Sequence, residues 1–169
     1  YNGLDDRLMT AYWERYHLVL ESPADWHQNQ LEPDGFPGFE LMQNSPSRGL
    51  TVSWEAAADP VAWLEDRGVL AAMRRRLGEA MHDEEIVPES LVWSPAEIGG
   101  VAAVKLEGSW ISNRFAGGGP FWSYFVPDPA RGRIFCIDLL AYAPGMDKME
   151  FFRRMDAVAS TFATVRPQP

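Results

Sequence analysis

Three histidines are the first candidates for chemistry in this sequence. His17, His27 and His82 lie far apart in the chain and lack the spacing of metal ligands, as in the HExxH motif of zinc enzymes. No GxSxG motif marks a nucleophilic serine. His27 follows Asp25 and Trp26, which makes it the best candidate for a general base. A hydrolase site assembled in space is therefore one hypothesis, and it requires His27 or His82 in a cleft, partly buried against a carboxylate.

The run Gly117-Gly118-Gly119 invites comparison with a phosphate-binding loop. Such loops direct backbone N–H groups at phosphate and lead into the N-terminus of a helix. Here the run leads to Pro120, which has no N–H group, and then into an apolar strand pattern. We interpret the glycines as a turn between two strands, where glycine permits a positive φ.

Charged residues stand out in three places. Asp138 interrupts the apolar strand Ile134–Ala141, so its carboxylate either leaves the core face or is buried with a partner such as an arginine. We interpret Arg74–Arg76 as a solvated basic face, with an anion or partner site as the alternative. His82–Glu85 indicates a solvated acidic turn, because it lacks the spacing and the glycine of a calcium loop. These patterns predict no metal site and no cofactor.

The composition describes a folded, acidic chain. Its 169 residues are 46% hydrophobic and 12% aromatic, which suits a chain that buries a core. A formal net charge of −9 and a pI near 4.8 argue against nucleic acid, since phosphate backbones are bound by clustered Lys and Arg. Cys136 is the only cysteine, and its apolar strand pattern predicts a buried, inert thiol. No apolar run approaches the roughly 20 residues of a transmembrane helix.

The elements that would position these residues are those of an α+β fold. We expect a helix over residues 2–15, a loop over 27–35, and a helix that begins at Asp59-Pro60 and carries an apolar stripe from Leu70 to Met81. A closing helix begins near Asp147. Together they predict one α+β domain over residues 1–169, or the C-terminal part of a longer protein, with a largely antiparallel sheet and helices packed on it. Period-two patterns place the strands at 17–21, 39–43, 49–55, 91–94, 100–110, 120–126 and 133–142.

An aromatic group surrounds the hairpin predicted from the last two strands. Trp110, Phe115, Trp122 and Tyr124 belong to it, and because alternate positions face opposite sides of a sheet, half of the hairpin's rings should lie in the core. If no helix covers the second face, Trp122 and Tyr124 form an exposed patch suited to a protein partner or an apolar ligand. These four residues are the predicted binding site.

Four short motifs lie in the last third of the chain. They are Gly108-Ser109-Trp110, Gly118-Gly119-Pro120-Phe121, Tyr142-Ala143-Pro144 and the helix Lys148–Ala157. Together they resemble a Bacteroidetes-type, DUF4837-like family of bacterial lipoproteins of unknown function. That resemblance implies a lipid-anchored N-terminal cysteine in the full-length protein and a location in the cell envelope or periplasm, and it implies no catalytic residues. The order of elements is also similar to the PsbP-like α+β fold, whose members are mostly non-enzymatic binding or assembly factors.

The sequence thus favours a non-enzymatic binding or assembly domain of an envelope protein that uses an aromatic sheet face, with the hydrolase as the alternative. The expected partner is a protein or an apolar ligand, and neither a cofactor nor nucleic acid is expected. Self-association through the same aromatic face is a further hypothesis. Without a lipid anchor, the domain is expected to be soluble.

Overall fold

The fold of the protein is built largely from antiparallel strands. The computed structural model describes residues 8–13, 16–31, 37–44 and 47–165, and every statement below concerns those residues. The elements in chain order are β1 (Leu8–Trp13), β2 (Leu18–Pro23), β3 (His27–Gln30), β4 (Gly38–Gln43), β5 (Ser47–Ala56), α1 (Pro60–Trp63), α2 (Arg67–His82), β6 (Glu84–Ile86), β7 (Val92–Ile98), β8 (Val101–Ser112), β9 (Gly118–Asp128), β10 (Arg133–Tyr142), α3 (Met149–Ala159) and β11 (Ala163–Thr164).

The strands form two sheets. The larger has eight strands in the order β3-β4-β5-β10-β9-β8-β6, with β7 also paired to β8, and the smaller has the order β1-β2-β11. All of these pairings are antiparallel. The prediction of an α+β fold with a largely antiparallel sheet and a closing C-terminal helix is therefore confirmed.

The two faces of the large sheet bury separate hydrophobic clusters. Helix α3 lies on one face, over Leu50, Val52 and Ile137. Helix α2 lies on the other face, where its residues Leu70 and Leu77 belong to the same cluster as Phe121, Phe125 and Cys136. Side chains alternate between these clusters along each central strand because the period of a strand is two residues.

Two predictions for the N-terminal part are wrong. Residues 8–13 form strand β1 and not a helix, because they pair antiparallel with β2 from Leu8 opposite Pro23 to Trp13 opposite Leu18. Residues 27–30 form the edge strand β3 and not a loop, because they pair with β4. Those predictions also include residues 2–7, 14–15 and 32–35, which lie outside the described residues, and Leu31, which is described.

The glycine run also differs from its prediction. Gly118 and Gly119 lie inside strand β9, and neither has a positive φ. A Cβ atom on Gly118 would lie 2.3 Å from the carbonyl oxygen of Trp110 on strand β8, and one on Gly119 would lie 3.3 Å from the indole nitrogen of the same residue. At position 118, glycine is therefore required by the close approach of β8 and not by a turn conformation.

Candidate functional site

The four predicted binding residues lie on different faces of the sheet. Trp122 and Tyr124 share a face with their cross-strand neighbours Glu107 and Lys105, on the side where α3 packs. Trp110 points to the opposite side, into the cluster under α2. Phe115, in the β8–β9 loop, contacts Trp110 from outside. The structure thus forms two aromatic groups and not one.

Tyr124 is a core residue. Its side chain is only 6% exposed, and its hydroxyl donates a hydrogen bond to Asp156 on α3. Burial, together with this bond, raises the pKa of Tyr124. An exposed patch at Tyr124 is therefore a wrong expectation, because helix α3 covers that part of the face.

Trp122 lies at the boundary of the core. One side of its indole packs on Phe152 of α3, with ring centroids 5.0 Å apart. The ammonium group of Lys105 lies 3.7 Å from the centroid of the indole, a distance at which a cation is attracted to an aromatic face. Glu107 pairs with the same ammonium at 2.9 Å. The half-buried indole therefore carries an ion pair on its outer side.

Beyond Trp122, the sheet face has apolar side chains exposed to solvent. Helix α3 makes its main contacts with β2, β5 and β10 and not with β7 or β8. Val92 lies opposite Glu107, and Glu107 lies opposite Trp122. Ile111 lies four residues after Glu107 on β8 and therefore on the same face of the sheet. Val92 is 56% exposed and Ile111 is 47% exposed. We call this face the Trp122 surface and define it by Val92, Lys105, Glu107, Ile111, Pro120 and Trp122.

Sequence reasoning missed Val92 and Ile111. Ile111 could have been found, because it has the same parity along β8 as Lys105 and Glu107, which the alternation places outside the core. Val92 could not have been found, since its place beside Glu107 depends on the pairing of β7 with β8.

The second aromatic group closes the end of the sheet. Phe115, 47% exposed, meets the ring of Tyr142 edge-on at 5.1 Å and that of Trp110 at 6.5 Å. Trp110 itself is buried, and its indole N–H has no hydrogen-bond partner among the described residues. Phe115 can thus contact a partner, whereas Trp110 supports it from below.

A charged network lies between α2 and the sheet. Arg74 is fully buried and donates to Asp138 at 2.8 Å and to Glu84 at 2.5 Å. Ser123 also donates to Asp138. Burial raises the pKa of Glu84, although Arg74 opposes this shift. The interpretation of Asp138 as a carboxylate buried with an arginine is confirmed, and the interpretation of Arg74 and Glu84 as solvated residues is wrong.

Of the three histidines, only His82 is partly buried near a buried carboxylate, that of Glu84. His17 and His27 are exposed and His82 is half-buried, and in the described part of the chain no histidine is hydrogen-bonded to a carboxylate. His27 lines an open groove of about 530 Å³ beside Glu40, but Glu40 accepts its hydrogen bond from Asn29. Across the same described ranges, no three His, Cys, Asp or Glu side chains gather where they could hold a metal ion.

None of the helices described is long and apolar enough to cross a membrane.

A comparison with protein families decides where this chain belongs. Residues 76–161, just over half of the 169 residues, match the family described as a domain of unknown function, DUF4837. The chain belongs to the DUF4837 family. The DUF4837 match runs from the second half of α2 to the end of α3. It therefore contains the whole Trp122 surface and both acidic partners of Arg74.

Solved structures show the same fold for this DUF4837 protein. The solution structure of cyanobacterial PsbP (CyanoP) from Synechocystis sp. PCC 6803 aligns over 95% of this chain and 94% of its own, with a TM-score of 0.60 at 13% identity. The crystal structure of LpqN, involved in cell envelope biogenesis of Mycobacterium tuberculosis, aligns over 88% and 83%, with a TM-score of 0.53 at 16% identity. The fold is therefore PsbP-like, as its order of elements predicts. No curated protein matches the sequence.

Proposed function

We propose that this DUF4837 protein is a non-enzymatic binding or assembly domain of the cell envelope, and that it binds a protein partner through the Trp122 surface. One observation carries the proposal: the sheet face beyond α3 exposes Val92 and Ile111 on the same face as the half-buried ring of Trp122. Contiguous apolar side chains on an otherwise polar exterior mark interaction sites.

A protein fits this surface better than a small apolar ligand does. Its side chains come from three adjacent strands, β7, β8 and β9, and the outer face of a sheet offers a broad and shallow contact. Small apolar ligands are instead held in concave pockets that bury most of their surface. Trp is enriched in protein interfaces, and the rim around their buried centre is polar.

The charge distribution on the Trp122 surface also favours a protein partner. Lys105 and Glu107 neutralise each other at the centre of the surface, while the whole chain carries a net charge of −9. A partner approaching this face therefore meets less repulsion than elsewhere on an acidic protein. The Lys105–Glu107 pair would orient the partner, while Trp122 and Ile111 contribute the buried apolar area.

One of the similar structures suggests the cell envelope as the compartment. LpqN has a role in envelope biogenesis of its own organism, and we transfer only the compartment to this protein. A lipid-anchored N-terminal cysteine in the full-length protein would hold the domain at a membrane. The genomic sequence before Tyr1 tests this point: a signal peptide followed by such a cysteine supports it, and a cytosolic upstream domain contradicts it.

Site-specific photocrosslinking tests the binding role. A benzophenone amino acid is placed at position 92 or 111 of the full-length protein in its native cells, and at position 61 as the control, because Val61 is equally exposed on α1. Positions 92 and 111 should both crosslink to the same polypeptide, while position 61 should not. A second copy of this chain as the crosslinked species would assign the surface to self-association. An equal pattern from position 61, or no crosslink from positions 92 and 111, would contradict the proposal.

A further inference from the structure

We propose that a groove at the turn between β9 and β10 binds a carboxylate carried on an aromatic group. The groove has a volume of about 620 Å³, and its lining includes Pro37, Trp54, Glu55, Arg131 and Arg133. That volume lies within the usual range of small-molecule sites. The site shares no residue with the Trp122 surface, so the inference does not depend on the proposed function.

Two arginines in the groove share a single carboxylate. Asp128 accepts a hydrogen bond from Nε of Arg133 at 2.9 Å and lies 3.4 Å from Nη1 of Arg131. Glu55, the other acidic residue of the lining, is paired with Arg76 at 2.7 Å. Arg131 and Arg133 thus have one carboxylate, Asp128, between them, and one positive charge has no counter-charge among these residues. An anion is therefore attracted to this part of an otherwise acidic protein.

Arg133 also has donors to spare. The residue is only 8% exposed, and its Nε and Nη2 atoms donate to Asp128 and to the carbonyl oxygen of Tyr16. Its Nη1 atom makes no hydrogen bond to a described residue, and it is not among the polar atoms sealed from solvent. Buried guanidinium groups normally use their donors. The Nη1 N–H groups of Arg133, which have no partner among the described residues, therefore suit a carboxylate, which arginine binds with short, charge-assisted hydrogen bonds.

Trp54 supplies the apolar part of the site. Its half-buried ring is held in place by Tyr16, with ring centroids 4.8 Å apart, and the guanidinium of Arg133 lies 5.3 Å from its centroid. A planar ring on the ligand can pack on the exposed part of Trp54 while its carboxylate reaches Arg133. The combination distinguishes an aromatic carboxylate from a bare anion, which would use only the arginines.

Other ligand classes fit less well. A metal cation would be repelled by the excess positive charge of Arg131 and Arg133. A polyphosphate needs several cations in one place, and this groove offers one uncompensated charge within a chain of net charge −9. A single carboxylate balances the charge that is present.

Titration of the isotope-labelled protein tests the inference by NMR. The probes are benzoate, benzyl alcohol as a neutral ring, and acetate as a carboxylate without a ring, and the signals followed are the indole N–H of Trp54 and Nε–H of Arg133. Benzoate should give saturable shifts, and its dissociation constant should be lower by at least about tenfold than those of the other two probes, since each probe lacks one of the two contacts. Equal binding of benzyl alcohol, equal binding of acetate, or no saturable shift with benzoate would each overturn the proposal.

A pair of matched variants localises the effect. Arg131→Gln removes the groove's second cation, whereas Arg75→Gln removes an exposed arginine of α2 outside the groove. Unchanged signals elsewhere in the spectrum establish that each variant is folded. Benzoate should bind Arg131→Gln about tenfold more weakly and Arg75→Gln as it binds the wild type. Equal loss in both variants would reduce the effect to net charge and overturn the assigned site.

Discussion

Nε of Arg74 donates to Oδ1 of Asp138 across 2.8 Å, although 64 positions separate the two residues in sequence. The bond joins helix α2 to strand β10 at the centre of the sheet, where both side chains are buried. Glu84, the first residue of strand β6, accepts the second hydrogen bond from Arg74. One guanidinium therefore fixes three elements, and the polar network positions α2 on the face opposite to α3.

Removing Arg74 should destabilise the fold more than any exposed substitution in α2. In Arg74→Met, Asp138 and Glu84 lose their counter-charge while they remain buried, a change that costs roughly 3–5 kcal/mol in comparable pairs. The free energy of unfolding from urea denaturation measures the loss. Arg75→Met is the matched control, because Arg75 is exposed on the next helix position, and it should change stability by less than about 0.5 kcal/mol. Equal effects in the two variants would contradict a structural role for the network.

Glu84 should make stability depend on pH. Burial is the main cause that raises the pKa of Glu84 above its ordinary value of 4.5, with Asp138 adding to the shift and Arg74 opposing it. A group whose pKa is higher in the fold stabilises it below the unfolded pKa, and this contribution is lost as the pH rises through the folded pKa.

Glu84→Gln tests that dependence, because glutamine resembles the protonated form and does not titrate. The stability of Glu84→Gln relative to the wild type should increase as the pH rises from about 4 to 8. Denaturation curves at several pH values supply the comparison. Glu79→Gln, an exposed substitution on the same helix, should show no such trend. A relative stability that falls with pH would mean that Glu84 is ionised in the fold.

A methyl group at Gly118 should not be tolerated. Its Cβ would lie 2.3 Å from the carbonyl oxygen of Trp110, so strands β8 and β9 would have to separate. Overpacking of this kind costs typically about 1–3 kcal/mol. The midpoint of thermal unfolding is measured for Gly118→Ala and for the control Gly68→Ala, because Gly68 lies at the exposed start of α2. Equal midpoints would show that the hairpin adjusts freely.

Cys136 should report unfolding by its reactivity. It is the only cysteine and is buried beneath α2, and burial is the main cause that raises the pKa of its thiol. Thiolate is the reactive form, so a thiol reagent should label the protein only when it unfolds. The labelling rate should follow the unfolded fraction as urea is increased. Rapid and complete labelling of the native protein would disprove the burial of this residue.

The central and C-terminal parts of the fold could be predicted because their patterns are local. Alternation in β5 and β10 and the apolar stripe of α3 repeat within single elements. The spacing in α2 also predicts that Arg74 is buried, because residue 74 lies four positions after Leu70 and three before Leu77, on the buried stripe of the helix. The run of three arginines makes this prediction easy to miss.

Other features depend on partners that are distant in the chain. Strand β1 has apolar residues at a helical spacing, and only its pairing with β2 makes it a strand. Val92 becomes part of a surface only through the pairing of β7 with β8. Exposure of the sheet beyond Trp122 depends on where α3 lies, and the amphipathic pattern of a helix does not specify which strands it covers.

The affinity of the crosslinked partner tests the role of the Trp122 surface most directly. Isothermal titration calorimetry compares the wild type with Ile111→Glu and with the control Val61→Glu, two substitutions of exposed apolar residues that add the same charge. Ile111→Glu should weaken binding by at least about tenfold, or about 1.4 kcal/mol, because it buries a carboxylate in the contact. Val61→Glu should bind as the wild type does. Unchanged affinity in Ile111→Glu would contradict the assignment of this sheet face as the binding surface.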